Sequence, residues 1–377
     1  MDKSNLASPR ETVKNSIRNW ISDGSLQSGS LVPAENLVAE ELNISRGTVR
    51  TAMDELEVEG ILERRNRRRY VTNRGAAPGG MNNLVLFLGA AENVEKFKNT
   101  GFLLAIQAGV MDRLAELKKH VISANFDKLK YSELDLLTNL RPEGALVSQE
   151  ILQSAAGPDI LKYLTGRQIP AVLEYTDARY ANYDRVVSDQ ARGNYLLTKF
   201  AIDGNFKKIL CFYPDNTQEY WYNFRHQGYR KAMQEANLTP MPPIAGRPMK
   251  NEYSYNEYHF HQAVMLNLGF LYDYFRQYGE ADCIFANSDW EVSIIAAACR
   301  KLGKTPGKDI FFMGYDNKYM YNPWEKFEDT TPLATIDKHN DELGRALVNT
   351  LFERINGKLG HEPVLKLIDP ELIIIKP

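Results

Sequence analysis

Apolar residues between Leu31 and Asn73 recur at two different periods. Leu37, Val38 and Leu42, and then Val49, Met53 and Leu56, return every three or four residues, the spacing that gathers side chains on one face of an α-helix. The polar break Asn43-Ile44-Ser45 separates the two runs, and Ser45 stands at an N-cap position, where its hydroxyl can accept from an N–H that the first turn leaves unpaired. After Gly60 the run Ile61 to Thr72 predicts two short strands folded about Asn66, a residue that tolerates a left-handed turn. Val13, Ile17, Trp20 and Ile21 predict an earlier helix over residues 8–23, opened by Ser8-Pro9. The set predicts a winged helix-turn-helix over residues 8–73, an α+β unit whose second helix enters a DNA major groove by its N-terminal end. Ser45, Arg46, Gly47, Thr48 and Arg50 occupy that end, off the apolar stripe.

The pattern then changes. Residues 74–82, rich in Gly, Ala and Pro and without periodicity, read as a linker. From Asn83 short apolar bursts alternate with amphipathic stretches. Strands are predicted at 84–88, 121–124, 144–147, 171–173, 208–213, 281–286 and 310–314. Helices are predicted at 101–120, 132–140, 158–166, from 189 to 203, at 222–237 and at 290–302. Such alternation predicts parallel sheets covered by helices, and residues 83–377 exceed one ordinary core, so two lobes are expected. Ligands of this architecture sit beyond the carboxyl ends of strands, often between lobes.

Charge sharpens the first unit. Residues 64–74 hold six arginines and no acid, whereas residues 1–63 hold six Lys+Arg against eleven Asp+Glu. Arg64, Arg65, Arg67, Arg68 and Arg69 therefore form a localised basic wing, suited to phosphate tracking and minor-groove reach. The whole chain, 377 residues with net charge −2 and 44% hydrophobic content, has no apolar run near the ~20 residues a membrane span needs. Its N-terminus lacks a basic-then-apolar leader, which predicts a cytoplasmic protein with no membrane partner.

Little in the chain suggests catalysis or a cofactor. Cys211, Cys283 and Cys299 lie in apolar strings and read as buried thiols. His259 and His261 would share one face of a strand, but no third metal ligand accompanies them. No Gly-rich phosphate loop, nucleophile elbow or zinc helix motif is present, so neither an enzyme, nor a metal, nor a cofactor is expected.

Pro33-Ala34-Glu35, Leu37, Ala39, the run Ser45-Arg46-Gly47-Thr48-Val49-Arg50, and Leu56-Glu57-Val58-Glu59-Gly60-Ile61-Leu62 resemble the winged-helix domain of the GntR regulator family. The resemblance implies base-edge and phosphate contacts for Arg46 and Arg50 and a phosphate bond for Thr48. Asn36 stands where the family usually has Arg, and Asn66 and Arg68 stand where its wing tip usually has glycines. Further on, Arg225-His226-Gln227-Gly228-Tyr229, Ala281 to Asp289, Phe312 to Asn317, Pro332 to Ile336, Glu342-Leu343-Gly344 and Pro370-Glu371-Leu372 resemble, in order, motifs of the LacI regulators and periplasmic sugar-binding proteins. A GntR-type head on such a two-lobed α/β domain is the AraR-type arrangement. It implies a homodimeric repressor of carbohydrate-utilisation genes, with double-stranded operator DNA and a sugar-like effector as partners.

The same resemblance implies a ligand site. Arg225 stands where a guanidinium makes forked bonds to ligand oxygens, and Asp316 where a carboxylate accepts from hydroxyls. Ser288 replaces a usual Asn, with Asp289 beside it, and Lys338 replaces a frequent Gln. Tyr175, or Glu174 one residue earlier, falls at the strand end where Asp is common. Trp221, Phe102, Trp290 and Tyr220 are candidate stacking platforms. If Lys338 enters the pocket, an acidic sugar or phosphosugar gains weight among the candidate ligands. A non-sugar ligand, control by a protein partner, and an enzyme acting on a sugar are the alternatives.

Overall fold

The structure, a computed structural model, describes residues 8–22, 25–27, 29–66, 68–72, 83–89, 101–124, 134, 137–213, 220–245 and 255–375. The linker at 74–82 lies outside these residues, as does Arg67. The side chains of Phe102 and Tyr220 are also outside the description. By internal contacts the chain divides into two compact units. One comprises residues 1–86, 119–122 and 128–144, and the other comprises the rest.

The first unit begins with the expected head. Helix α1 (Pro9–Ser22) packs on α3 (Arg46–Val58), and α2 (Glu35–Leu42) precedes α3 through Asn43, which takes the left-handed conformation at φ 51°. Ser45 caps α3 as predicted, its Oγ accepting from the Thr48 N–H at 3.2 Å. Strands β1 (Leu62–Arg65) and β2 (Arg68–Val71) pair antiparallel, and Asn66 between them has φ 47°. Val13, Ile17, Val38, Val49, Met53, Leu56, Leu62 and Val71 close one core, so the two periods read from the sequence meet inside.

A six-stranded sheet runs in the order β13 (Leu365–Ile368), β7 (Asp184–Ser188), β6 (Ala171–Leu173), β5 (Gly144–Val147), β3 (Leu84–Leu88), β4 (His120–Ala124). The pairs β13–β7, β7–β6 and β6–β5 are parallel. Helices α4 (Gly101–Glu116), α5 (Gln149–Gln153) and α6 (Gly157–Gly166) belong to this lobe. The other lobe holds a four-stranded parallel sheet, β11 (Phe311–Met313), β10 (Cys283–Ala286), β8 (Ile209–Tyr213), β9 (Ile244–Ala245). One face of that sheet packs through Leu210, Phe212 and Ile284, and the other through Ile209, Cys211 and Phe285. Helices α7 (Gln190–Asp203), α8 (Tyr220–Glu235), α9 (Glu257–Tyr278) and α10 (Asp289–Lys301) cover it. The chain passes between the lobes at 188–190, from β12 (Ala334–Asp337) to α11 (Asn340–Ile355), and from β13 to β14 (Glu371–Ile374).

Helix α9 departs from the sequence reading. Residues 257–278 form one helix of 22 residues, capped by Asn256, whose Oδ1 accepts from the His259 N–H at 2.9 Å, and closed by Gly279 at φ 84°. Residues two apart on a helix are separated by about 200° around its axis. His259 and His261 therefore point to different faces, and the face they would share on a strand does not exist. Alternation of aromatic and polar residues there mimicked a strand. The three cysteines are buried, and burial pushes the Cys211 and Cys299 thiols up to about 12.

Close backbone approach sets the helix packing. A Cβ at Gly228 in α8 would stand 1.9 Å from the Ala191 carbonyl oxygen of α7, a distance no side-chain rotation relieves. Gly228→Ala is therefore expected to destabilise this α/β domain by at least ~1–3 kcal/mol, the usual cost of overpacking. Urea unfolding followed by tryptophan fluorescence would check this, and an unchanged midpoint would contradict the packing described.

Candidate functional site

The exposed end of α3 is organised by one carboxylate. Arg50 donates to Glu35 from Nε and Nη2, each 3.0 Å from Oε2, and Arg46 Nε lies 3.3 Å from the same oxygen. Arg69 Nη1 donates to Glu35 Oε1 at 2.8 Å. Bonds from Arg50, and then from Arg69 and Arg46, hold the Glu35 carboxyl down at about 2, against the opposing effect of its partial burial. These residues line an open groove of about 980 Å³ floored by Val32, Pro33 and Met53. Sequence reasoning gave Glu35 no role, although it belongs to the Pro33-Ala34-Glu35 motif. Its position at the start of α2 brings it opposite α3 only in three dimensions.

The wing arginines divide by strand alternation. Arg69 is only 9% exposed and shares its face of β2 with Val71. It bonds Glu35, Glu57 and Asp54, with Met53 Sδ at 3.5 Å. Arg69 is thus a clamp between wing and helices rather than a free DNA-facing cation, because an inward strand position demands paired charge. Arg64, Arg65 and Arg68 are exposed. Arg64 bonds Asp54 and Glu57, each within 3.3 Å. Arg65 pairs with Glu63 and lies 5.7 Å from the Tyr70 ring centre. Thr48 Oγ1 stays 2.8 Å from Ser45 Oγ. A Cβ at Gly47 would meet nothing within 4 Å.

Arg225 is the centre of the second cluster. It projects from α8, is 3% exposed, and its guanidinium carbon lies 3.4 Å from the Tyr315 ring centre and 4.4 Å from that of Trp221. Its Nε donates to Gln190 Oε1 at 2.9 Å, and its Nη1 to the Asn287 carbonyl at 2.8 Å. Gln190 opens α7 at the first crossing and Asn287 ends β10, so neither neighbours Arg225 in sequence. Asn194, fully buried, fixes the α8 backbone by donating to the Arg225 carbonyl at 2.9 Å.

Asp316 follows β11 with φ 87°, and Asn317 has φ 50°. Two successive non-glycine residues in the left-handed region need anchoring. Asp289 Oδ2 supplies it by accepting the Lys318 N–H at 2.5 Å, and Asp337 Oδ2 accepts from Asn317 Nδ2 at 2.8 Å. Asp289 is fully buried, and burial pushes its carboxyl up to about 7. Expected among the ligand-binding residues, it supports the Asp316 loop through this Oδ2 bond. Lys338 Nζ lies 2.7 Å from Asp316 Oδ1. The Asp316 carboxyl is lowered because Lys338, Arg225 and Lys318 outweigh its burial.

Of the other expected residues, Ser288 is half-buried before α10, and Trp290 donates from Nε1 to the Lys318 carbonyl at 3.0 Å while packing on Tyr255. Trp221 packs edge-on to Tyr213. Tyr175 is buried against Tyr180. Glu174 beside it is also buried; burial and then Glu150 raise its carboxyl, with the Gln149 N–H and Lys338 opposing. Around it, Ser148 Oγ, Thr176 Oγ1 and Ser188 Oγ are buried without hydrogen-bond partners among the described residues. All three follow or end the adjacent parallel strands β5, β6 and β7 at their carboxyl ends. Sequence reasoning missed Gln190, Asn194 and these hydroxyls, since single polar residues at strand ends carry no pattern.

Comparison with known proteins places both regions. The family described as bacterial regulatory proteins, gntR family, matches residues 9–71, and the periplasmic binding protein-like domain matches residues 198–374. The HTH-type transcriptional repressor PurR of Histophilus somni (strain 129Pt) is 30% identical over 258 residues, covering 67% of this chain and 69% of that protein. That of Actinobacillus pleuropneumoniae serotype 3 (strain JL03) is 28% identical over 252 residues, covering 64% and 66%. The chain thus spans about two thirds of the length of these relatives. Among solved structures, a transcriptional regulator CelR–cellobiose complex has TM-score 0.60 at 19% identity, covering 91% of this chain and 99% of that one. A LacI family regulator from Enterococcus faecium with bound ribose has TM-score 0.55 at 19% identity, covering 77% and 96%. These two share the fold. No helix among the described residues is long and apolar enough to cross a membrane.

The lowered Glu35 carboxyl carries a pH signature. A depressed carboxylate adds stability above its unfolded pKa and loses it as pH falls through the folded one. Glu35→Gln should therefore cost the winged helix about 1–2 kcal/mol at pH 7, the scale of a charged hydrogen bond. The difference from the parent chain should vanish as pH falls from the ordinary Glu range towards about 2. Chemical unfolding at several pH values reads both, and a pH-independent difference would contradict the Glu35 assignment.

Proposed function

The chain belongs to the bacterial transcriptional regulators that join a gntR-type winged helix to a periplasmic-binding-protein-like domain, and on that premise we propose that it is a homodimeric repressor whose grip on operator DNA is set by a neutral sugar held between its lobes. The observation that carries the ligand class is the row of unpartnered buried hydroxyls, Ser148, Thr176 and Ser188, at neighbouring strand ends. A buried polar atom without a partner costs free energy, and a polyol supplies many small donors and acceptors at once. Arg225, held between two rings with Nε and Nη1 bonded, is preorganised to offer its remaining edge to hydroxyl oxygens. The Lys338 charge is met by Asp316, which removes the reason to favour an acidic sugar. The sugars present in the two fold neighbours agree with this class.

On the DNA side, Arg46 and Arg50 read the major groove, Thr48 bonds a phosphate, and the exposed Arg64, Arg65 and Arg68 follow the backbone or minor groove. Arg67, outside the described residues, is expected to act with them. Glu35 occupies the place of a DNA acceptor until the operator arrives. Gly47 fits this reading: a glycine inside a helix costs about 1 kcal/mol against alanine. Among the described residues none lies within 4 Å of the place its Cβ would take, and the close approach of a nucleic acid backbone is what the glycine leaves room for. Two copies on a two-fold operator supply the affinity that one small head lacks. The lobes close on the sugar, and repression changes by as much as the two lobe states differ in ligand affinity.

Two measurements test this. In a thermal-shift panel of neutral sugars, uronates, phosphosugars and nucleobases, a neutral sugar at 100 times its Kd should add about 2.7 kcal/mol of stability. Arg225→Lys should weaken that ligand at least about tenfold, or ~1.4 kcal/mol. A response to nucleobases alone, stacked on Trp221, would overturn the sugar assignment. In a binding titration on the operator, Gly47→Ala should leave the melting temperature equal or higher yet reduce affinity. Arg46→Ala should cost about 1–3 kcal/mol and relax specificity at one base. An equal loss on all sequences would reassign Arg46 to phosphate.

A further inference from the structure

Helices α7 and α8 cross where the Ala191 carbonyl fills the place a Cβ would take at Gly228. With backbones this close, long side chains are kept from the crossing point and stand to its sides. They bound an open groove of about 580 Å³, floored by Ala191 and Gly228 and walled by Arg192, Tyr195, Gln227 and Lys231. That volume falls in the range of small-molecule sites, about 300–1,000 Å³. Helix α8 turns Arg225 inward and Gln227 and Lys231 outward, so the groove opens on the other side of α8 from the Arg225 cluster.

The walls carry donors that the fold leaves unused. Lys231 Nζ stands 5.2 Å from the Tyr195 ring centre, and no carboxylate among the described residues pairs with it. Arg192 gives its Nε to Asp369, and its two Nη groups bond nothing among the described residues. The exposed Gln227 side chain is likewise unbonded among them. The neighbouring acceptors, in contrast, are engaged. Asp189 Oδ1 accepts the Arg192 N–H at 2.9 Å and so caps α7, and Glu235 Oε2 accepts from Tyr195 Oη at 2.7 Å. The α7 N-terminus is thus already capped, and the attraction for an anion comes from side chains. A guanidinium edge takes two oxygens in a fork, and an ammonium is a point charge that suits phosphate. With an amide beside them, the groove offers three donor groups. A carboxylate has two oxygens to give them, whereas a phosphoryl group has three.

We propose that the groove between α7 and α8 is a second ligand site, taking a phosphoryl group, free or esterified to a small molecule, on Arg192, Lys231 and Gln227. Tyr195 holds the Lys231 ammonium in place under it. The site adjoins two of the crossings between lobes: the Asp189 N–H bonds the Ile368 carbonyl at 2.9 Å, and Asp369 follows on the way to β14. It does not depend on the sugar reading above, because its walls share no residue with the Arg225 cluster or the row of hydroxyls.

Isothermal titration of the full chain with inorganic phosphate, glucose 6-phosphate and acetate tests the site, with chloride holding the ionic strength constant. Both phosphates should bind at least about tenfold more tightly than acetate, the worth of one further charge-assisted bond. The tighter of the two identifies the source, free anion or ester. With inorganic phosphate, Lys231→Gln and Arg192→Gln should each weaken binding by about tenfold, for the same reason. Circular dichroism should stay unchanged, since both side chains face solvent. Asp369→Asn should tighten binding, because it removes a carboxylate that competes for Arg192; weaker binding there would overturn the role given to the Nη edge. No phosphate binding beyond the chloride control, or acetate binding as tightly as phosphate, would overturn the proposal. Full-strength phosphate binding in both Lys231→Gln and Arg192→Gln would place the anion elsewhere and overturn it equally.

Discussion

A guanidinium taken out of water must be met by acceptors and by polarisable surfaces, or it destabilises the fold that buries it. Arg225 is such a group, and the sensor domain is arranged to meet it. Gln190 arrives with the first crossing between lobes, Asn287 with the end of β10, Tyr315 with the end of β11, and Trp221 from the preceding turn of α8. These elements come from four distant parts of the chain, and their convergence fixes where the carboxyl ends of the smaller sheet lie. The Asp316 loop, bent through two left-handed residues, is pinned in the same place by Asp289 and Asp337. A charged wall results, near enough to Glu174 for Lys338 to act on its carboxyl.

The same physics acts on the head with opposite outcome. The acidic helices and the basic wing are not separate charge blocks in space. Glu35, Asp54 and Glu57 pair with Arg46, Arg50, Arg64 and Arg69 across the groove. Exposed pairs are weak and readily exchanged, so Arg46 and Arg50 can trade a carboxylate for DNA acceptors. Arg69 cannot, because three acids and a buried position hold it. One strand position separates the exposed Arg68 from Arg69, which ties the wing to the helices.

Much of the site was legible before folding. The N-cap at Ser45, the left-handed turn at Asn66, and the strand-helix alternation are local events, decided within a few residues by hydroxyl geometry, backbone sterics and side-chain period. Helix α9 was not, because its aromatic-rich sequence satisfies both periods and only packing on the sheet chooses between them. Arg69 was misplaced for a related reason: an arginine run advertises charge, whereas the pleat decides which members face inward.

By itself, then, the sequence determined the two domain types, the capped helix that opens with Arg46 and carries Arg50 in its second turn, and Arg225 as the residue to examine, since motif and periodicity are properties of neighbours along the chain. Only the tertiary structure decided that Glu35 gathers Arg46, Arg50 and Arg69, that Asp289 supports a loop, that Lys338 is paired with Asp316, and that three hydroxyls lie unpartnered at the carboxyl ends of adjacent strands. Each of those depends on distance between residues far apart in sequence. Burial then sets their charge and hydrogen-bonding state, which no local pattern encodes.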